Sequence, residues 1–423
     1  MPELNDQHYL QAVTELGNTR MIVADRDIYS QNRIKLIASG MRINSQLYDR
    51  LIKHKLLELD KTLSIDNMLN ADRIRDDVAS LLQENAKLAK MQAIIGKNFL
   101  YSRVLAIQLP SPLAFKLTVA RDKYNHIYRH SLMLMIIVVY LAHCNGMNSA
   151  EQECAATAAL FHDIGLLHID PKLLAPSHVM SDTERHHLYS HPLTAYLLLC
   201  EFPELPRCIA EAVLVHHERM DGSGYPRGLR GDKISRYGQI LAVAEIAAKA
   251  FDSNHPKVSW KNLEVMLKLN FRQYGQGLIG HLNIFRENDA PTALSDNMSH
   301  LITKVNLIAQ LFENFNQHAN AISCDQMFDL AKTRMVALRL KLLEAGFDPH
   351  DPARLIQIFT DDLESRSDYS PLLNEALWQF KALLREISRR WPEVSVDEAQ
   401  PKRAENEWLN NMKRSLLSAD INK

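Results

Sequence analysis

The apolar run Ala155 to Phe161 ends abruptly in His162 and Asp163, followed by Ile164 and Gly165. Such a run reads as a buried helix that delivers an imidazole and a carboxylate together at its end. Moving a carboxylate into an apolar interior costs several kcal/mol unless a cation or donors compensate it. A carboxylate also has two oxygens, so it can bridge two ions that neighbouring histidines cap from opposite sides. His216, His217 and Glu218 close a second helical pattern, Ile209 to Val215, in the same way, and run into a glycine-rich turn from Asp221 to Pro226. Glycine beside such ligands lets backbone amides approach a phosphate closely.

Histidine is concentrated around these two motifs, at His126, His130, His162, His168, His178, His186, His187, His191, His216 and His217. A single histidine is usually an ordinary surface or core side chain; the arrangement is what points to a metal. His126 and His130 lie four residues apart, on one helix face and about 6 Å apart along its axis, so they can reach one site together. Asp122 lies about 12 Å from His130 along that axis, too far to share an ion with it. It either orients His126 or is an ordinary surface acid.

The 423 residues carry 49 basic and 50 acidic side chains, a net charge of −1. That length favours two or three domains. The balance provides no broad field for gripping DNA or an anionic membrane, so neither is expected as a partner and any grip on phosphate is local. Leu132 to Ala142, the longest apolar stretch, is about half of the ~20 residues a bilayer crossing needs and reads as a buried helix. The first residues lack the pattern of a secretory signal, which makes the cytoplasm the expected address. Cys144, Cys154, Cys200, Cys208 and Cys324 show no zinc-like spacing and read as reduced packing residues.

The fold class expected is mainly α: a small mixed α+β N-terminal region over 1–110, a helical bundle over 111–257 and a helical extension over 258–423. Met21 to Asp25 and the run ending at Gly40 suggest a strand or hairpin. Asp72 to Gly96 has helical spacing, and Pro110 and Pro112 mark the boundary to the bundle. Asp325 to Ala345 and Tyr369 to Arg390 are the clearest later helices, with a turn at Gly346. Trp378 and Trp391 read as core, a homodimer surface or regulatory face being the other use. The charged stretch Glu393 to Lys423 is expected to fray or to dock on a partner.

Taken in order, His162-Asp163-Ile164-Gly165, His191-Pro192 and the long motif from His216 to Gly231 resemble the HD-GYP family of bacterial signalling phosphodiesterases, a branch of the HD phosphohydrolases. The likeness covers roughly Phe115 to Lys257. Less specifically, Asp27 to Leu51 looks like the lead-in that often precedes such domains. The resemblance implies an HD-type helical bundle that holds two or three divalent ions and hydrolyses cyclic di-GMP to pGpG or GMP. Iron or manganese is expected, and a donor set of imidazole and carboxylate without thiolate suits either. Carried over residue by residue, the ligands are His130, His162, Asp163, His191, His216 and His217, with His162 and Asp163 at the catalytic centre. Gly224, Tyr225, Pro226, Arg227 and Lys257 fall at substrate-binding positions.

Four positions depart from the family pattern. His126 replaces a glutamate, Leu166 a lysine, Glu245 a ligand aspartate and Asn254 an arginine. Because the early glutamate helps hold a third ion in many members, a two-metal site is the safer expectation, with His126 and Glu245 as substitute ligands. Glu245 is about 1.5 Å longer than aspartate and can ligate only by a different side-chain path. The mechanism expected is attack on phosphorus by a hydroxide held between two ions bridged by Asp163. A degenerate member that binds nucleotide or signalling proteins without turnover is the alternative.

Overall fold

The computed structural model describes residues 7–30, 32–53, 61–175, 178, 180–251, 278, 280–282, 298–319, 326–361, 363–391 and 404–420. Helix dominates, as expected, and the strands are short. The chain divides into two units, residues 1–257 with 271–284 and residues 258–270 with 285–423.

In the first unit, the expected strand region is a pair of two-stranded antiparallel sheets. β1 (Ile22–Ala24) pairs with β4 (Leu63–Ile65), and β2 (Ile28–Tyr29) with β3 (Lys35–Ile37). Ahead of them, α1 (Gln7–Leu16) buries Tyr9, Leu10, Val13 and Leu16. The short α2 (Tyr48–Ile52) follows the sheets' first three strands. The helical pattern from Asp72 to Gly96 breaks into α3 (Ala71–Glu84) and α4 (Ala86–Ile95). Its break is Asn85, whose side chain accepts the amides of Lys87 and Leu88 and so caps the second helix. α5 (Lys97–Leu105) and α6 (Ser111–Lys123) follow, with Pro112 in the first turn of α6, where a missing amide hydrogen costs nothing.

α7 (Asn125–Cys144) is long and apolar enough to cross a membrane by composition alone, but Ser131 to Ala142 are buried within the unit. It is a core helix with His126 and His130 at its start. α8 (Ser149–Phe161) packs along it after a capping box between Asn148 and Glu151. α9 (Asp182–Leu188), α10 (His191–Leu199), α11 (Arg207–Leu214) and α12 (Arg236–Phe251) complete the described bundle.

The N-terminal region holds the corner from which α7 emerges. Arg20 pairs with Asp122, and Lys123 Nζ lies 2.8 Å from Glu15. Arg121 and the Tyr128 hydroxyl both donate to Asp77, at 3.1 and 2.8 Å. Asp122 is therefore a paired surface acid rather than a group that orients His126. Nearby, Lys116 of α6 is buried with its ammonium 3.6 Å over the Tyr9 ring, and that ring stacks on His168.

In the second unit, helices Met298–Ala319, Gln326–Glu344, Pro352–Asp361, Leu363–Arg390 and Ala404–Asp420 enclose a separate apolar core. The turn at Gly346 lies where its sequence suggests, with φ +87°. Where fraying or docking was the expectation over 393–423, the described residues form a helix. Residues 404–420 are helical, and Trp408, fully buried, packs on Phe315 at 5.5 Å between ring centroids. Of the two tryptophans read as core from the sequence, Trp391 packs at the core's margin, and Trp378 is half-buried beneath Arg385.

Candidate metal centre

Three histidines are held in the same way. The Nδ1 atoms of His162, His191 and His216 lie 2.8, 2.7 and 2.6 Å from the carbonyl oxygens of Ala159, Leu188 and Val213, each three residues earlier. A carbonyl only accepts, so each Nδ1 carries a proton, and each Nε2 presents a lone pair when its ring is neutral. Those lone pairs converge on Asp163. Its Oδ2 lies 3.1 Å from His162 Nε2, while Oδ1 lies 3.2 Å from His191 Nε2 and 3.9 Å from His216 Nε2.

Two ligand groups result, with the carboxylate between them. In one, Asp163, His191, His216 and His217 place donor atoms within 4.8 Å of one another; in the other, His130, His162 and Glu245 do the same. The chemistry of this donor set fits cations. His191 and His216 direct Nε2 atoms at each other across 3.4 Å, and two lone pairs cannot hydrogen-bond. His162 Nε2 is buried without a hydrogen-bond partner, its contact with Asp163 having the distance but not the alignment of a bond. In the second group His130 and Glu245 also satisfy each other at 2.8 Å, so the case for an ion there rests on His162. Glu245 does reach this group, its Oε2 3.8 Å from His162 Nε2, by the longer path its extra carbon requires.

Electrostatics agree with a site built for positive charge. Burial works to raise the Asp163 carboxyl, yet positive charge at His162 and His191 outweighs it and holds the group well below the usual carboxylate range, a role that a bound ion would take over beside neutral rings. Burial, reinforced by His162 and His191, pushes His216 down to about 3, so its imidazole stays neutral and able to ligate.

Local packing explains why the motifs contain glycine. A Cβ on Gly165 would lie 2.2 Å from the His191 carbonyl oxygen, so glycine lets the start of α10 close against the turn that follows Asp163. At Gly224 a Cβ would lie 2.4 Å from the Glu218 Cα and 2.5 Å from the His217 oxygen. That residue serves the folding of its loop back onto the histidine pair.

The glycine-rich loop differs from a free phosphate cradle. Buried Glu218 accepts the amides of Arg227 at 2.6 Å and Leu229 at 2.9 Å. Ser223 donates its amide to Asp221, and Tyr225 donates its amide to the His217 oxygen. These amides are engaged within the loop, which corrects the expectation that they face a ligand. The Tyr225 ring stacks on Tyr189 at 4.1 Å and lies 4.7 Å from the His217 ring, so it buttresses a ligand histidine. Burial, with Tyr189 and the carboxylates of Asp163 and Glu245, raises its hydroxyl well above the usual phenol range. Pro226, after a cis peptide bond, and the Arg227 side chain are exposed.

Of the expected ligands, His130, His162, Asp163, His191, His216, His217 and Glu245 come together, drawn from α7, the end of α8, α10, the end of α11 and α12. His126 is exposed and belongs to neither group. His168, His178, His186 and His187 also lie outside both groups. Lys257 and Asn254 fall outside the described residues. Sequence reasoning missed the clamp made by Glu218, although its place directly after two ligand histidines was a signal, and the stacking role of Tyr189, for which periodicity gave none.

Residues 116–259 match the HD domain family. Over 149 residues the chain is 28% identical to a cyclic di-GMP phosphodiesterase of Pseudomonas aeruginosa, a match covering 35% of each chain. It is 33% identical over 125 residues to a 3′3′-cGAMP-specific phosphodiesterase of Vibrio cholerae, covering 29% of this chain and 28% of that one. A cyclic di-GMP phosphodiesterase of Thermotoga maritima is 32% identical over 143 residues, covering 34% and 37%. This central segment is thus similar to an HD domain and to the catalogued phosphodiesterases of the HD-GYP type. The matches span about a third of each relative's length. Among solved structures, an HDG"Y"P protein from Bdellovibrio bacteriovorus covers 63% of this chain and 95% of its own at 16% identity, with a TM-score of 0.37, too low to equate the folds.

Proposed function

We propose that the HD-GYP segment, which we place at 111–257 between flanking regions 1–110 and 258–423, is a cytoplasmic metal-dependent phosphodiesterase that hydrolyses cyclic di-GMP. The observation that carries this reading is the convergence of three carbonyl-anchored Nε2 atoms on one buried carboxylate. Asp163 would bridge two ions, one held by His191, His216 and His217 and the other by His130, His162 and Glu245. Two bound ions, iron or manganese, would lower the pKa of water and neutralise charge on the phosphoryl oxygens. The chain's own contribution is to fix ligand tautomers through the Ala159, Leu188 and Val213 carbonyls and to hold Asp163 ionised. Glu218 sets the path of the loop, Gly224 lets it close, and Tyr225 and Arg227 would present a ring, a hydroxyl and a guanidinium to the dinucleotide beside Pro226.

A second substrate, 3′3′-cGAMP, is favoured by the relatives specific for it at comparable identity. Leu166, apolar and half-buried where the family pattern has a lysine, favours a binding protein without turnover. One assay separates the three readings: purification without oxygen, metal counting, and hydrolysis of cyclic di-GMP beside 3′3′-cGAMP. Turnover of cyclic di-GMP faster than of 3′3′-cGAMP is expected. Bound metal with hydrolysis of neither would establish the binding protein instead.

A further inference from the structure

Three guanidiniums, from Arg20 just beyond α1, Arg73 on α3 and Arg121 on α6, line one cleft of about 910 Å³ together with the carboxylates of Asp66 and Asp122. None of the residues lining it belongs to either ligand group of the metal centre. Asn125, also in the lining, begins α7, and His130 lies five residues further, about 7.5 Å along the axis. The charges in the cleft are unevenly committed. Arg20 is engaged at all three nitrogens: it pairs with Asp122, reaches Asp66 Oδ1 with Nε at 3.3 Å and donates to the Asp66 carbonyl. These contacts fix both carboxylates, and Asp66 Oδ1 also accepts the Met21 amide. Asp66 Oδ2 and Asp122 Oδ1 are in no hydrogen bond among the described residues. Arg121 donates from Nη2 alone, to Asp77 at 3.1 Å. The Arg73 guanidinium has a single, neutral partner among the described residues, Asn67 Oδ1 at 2.9 Å. The cleft thus holds two fixed groups that only accept and two guanidiniums with donors to spare, and its lining carries a surplus of positive charge.

We propose that this cleft is a second ligand site, separate from the metal centre, and that it takes a guanine nucleotide. A phosphate group accepts paired, charge-assisted bonds from guanidiniums, and Arg73 and Arg121 have the donors for it. Phosphate alone does not suit the lining, because the two carboxylates repel it and the volume is that of a small-molecule pocket, about 300–1,000 Å³. The acids call for a ligand that also carries N–H donors. Guanine has them side by side on N1 and N2, where a carboxylate can accept, and it offers O6 and N7 as acceptors to a guanidinium. Adenine instead sets the acceptor N1 beside its one amino group, against a carboxylate's lone pairs, and fits less well. Because Arg20 already fixes Asp66 and Asp122, little ordering is left for the ligand to impose on binding. The site needs neither metal nor turnover, so it stands apart from the hydrolase reading.

Isothermal titration calorimetry of the full metal-loaded chain with GMP, AMP and inorganic phosphate tests the site. GMP should bind, with AMP and phosphate about tenfold weaker or more. Arg73→Gln removes a charged donor and should weaken GMP by about tenfold or more, while melting temperature and metal content stay unchanged. Asp163→Ala, or removal of the metal by a chelator, should leave GMP binding in place. Loss of GMP binding on either of those treatments, or full binding by Arg73→Gln, would put the nucleotide outside the cleft and overturn the site. Equal affinity for AMP or for phosphate would overturn the guanine assignment, and no heat with GMP at millimolar concentration would overturn the proposal outright. Because Asp163→Ala removes the metal centre and not the cleft, failure here is distinguishable from failure of the hydrolase reading.

Discussion

His191 and His216 point Nε2 lone pairs at each other across 3.4 Å, each ring fixed by a carbonyl behind it. Without a cation this contact is repulsive, and with one it is half of a ligand set. Chelation should therefore lower the melting temperature, since an ion bound only to the folded chain stabilises it by about 2.7 kcal/mol at a hundred times its dissociation constant. Thermal unfolding with and without a chelator measures this. His216→Ala should reduce the effect of the chelator severalfold.

In the metal-free chain, acid should be destabilising from about pH 6.5 downwards. His216 has a folded pKa of about 3 against an ordinary value of about 6.5. As pH falls between these values, the unfolded chain binds a proton that the folded chain refuses, so stability is lost. Asp163, held below its ordinary value, adds a loss in the same direction once pH falls through the carboxylate range. Melting temperatures in chelator should drop between pH 7 and pH 5, and less for His216→Gln; a flat profile would contradict this.

Glu218 should govern turnover through the loop rather than through metal binding. Its carboxylate accepts two loop amides, each bond to a charged acceptor being worth about 1.5–3 kcal/mol. Glu218→Gln retains one acceptor oxygen. It should lower kcat/KM by about tenfold or more while bound metal per chain stays unchanged.

At Gly165 the expected result is loss of assembly. An added methyl would meet the His191 carbonyl at 2.2 Å, forcing α10 away at a cost of about 1–3 kcal/mol. Gly165→Ala should fold with a lower melting temperature and retain less metal, as seen by circular dichroism and elemental analysis.

Much of this was legible in the sequence because the chemistry is local in the chain. The polar pair closing an apolar run located His162 and Asp163, and the same logic located His216 and His217. What was not legible depends on three-dimensional closure. His126 shares a helix face with His130 on spacing alone, yet α7 emerges from a corner tied down by Arg20 and Asp77, and only His130 turns inward. The loop's amides seemed available because glycine is permissive, but Glu218 lies within reach only once the chain folds back at Gly224. Trp408 escaped notice because a charged C-terminal stretch hides a helix with one deeply apolar face.

Metal content per chain, measured by elemental mass spectrometry on wild type and Asp163→Ala after anaerobic purification, bears most directly on the carboxylate as a bridge. The account predicts two ions per chain in the wild type and loss of both in the folded variant. Equal metal content in the two proteins would contradict it.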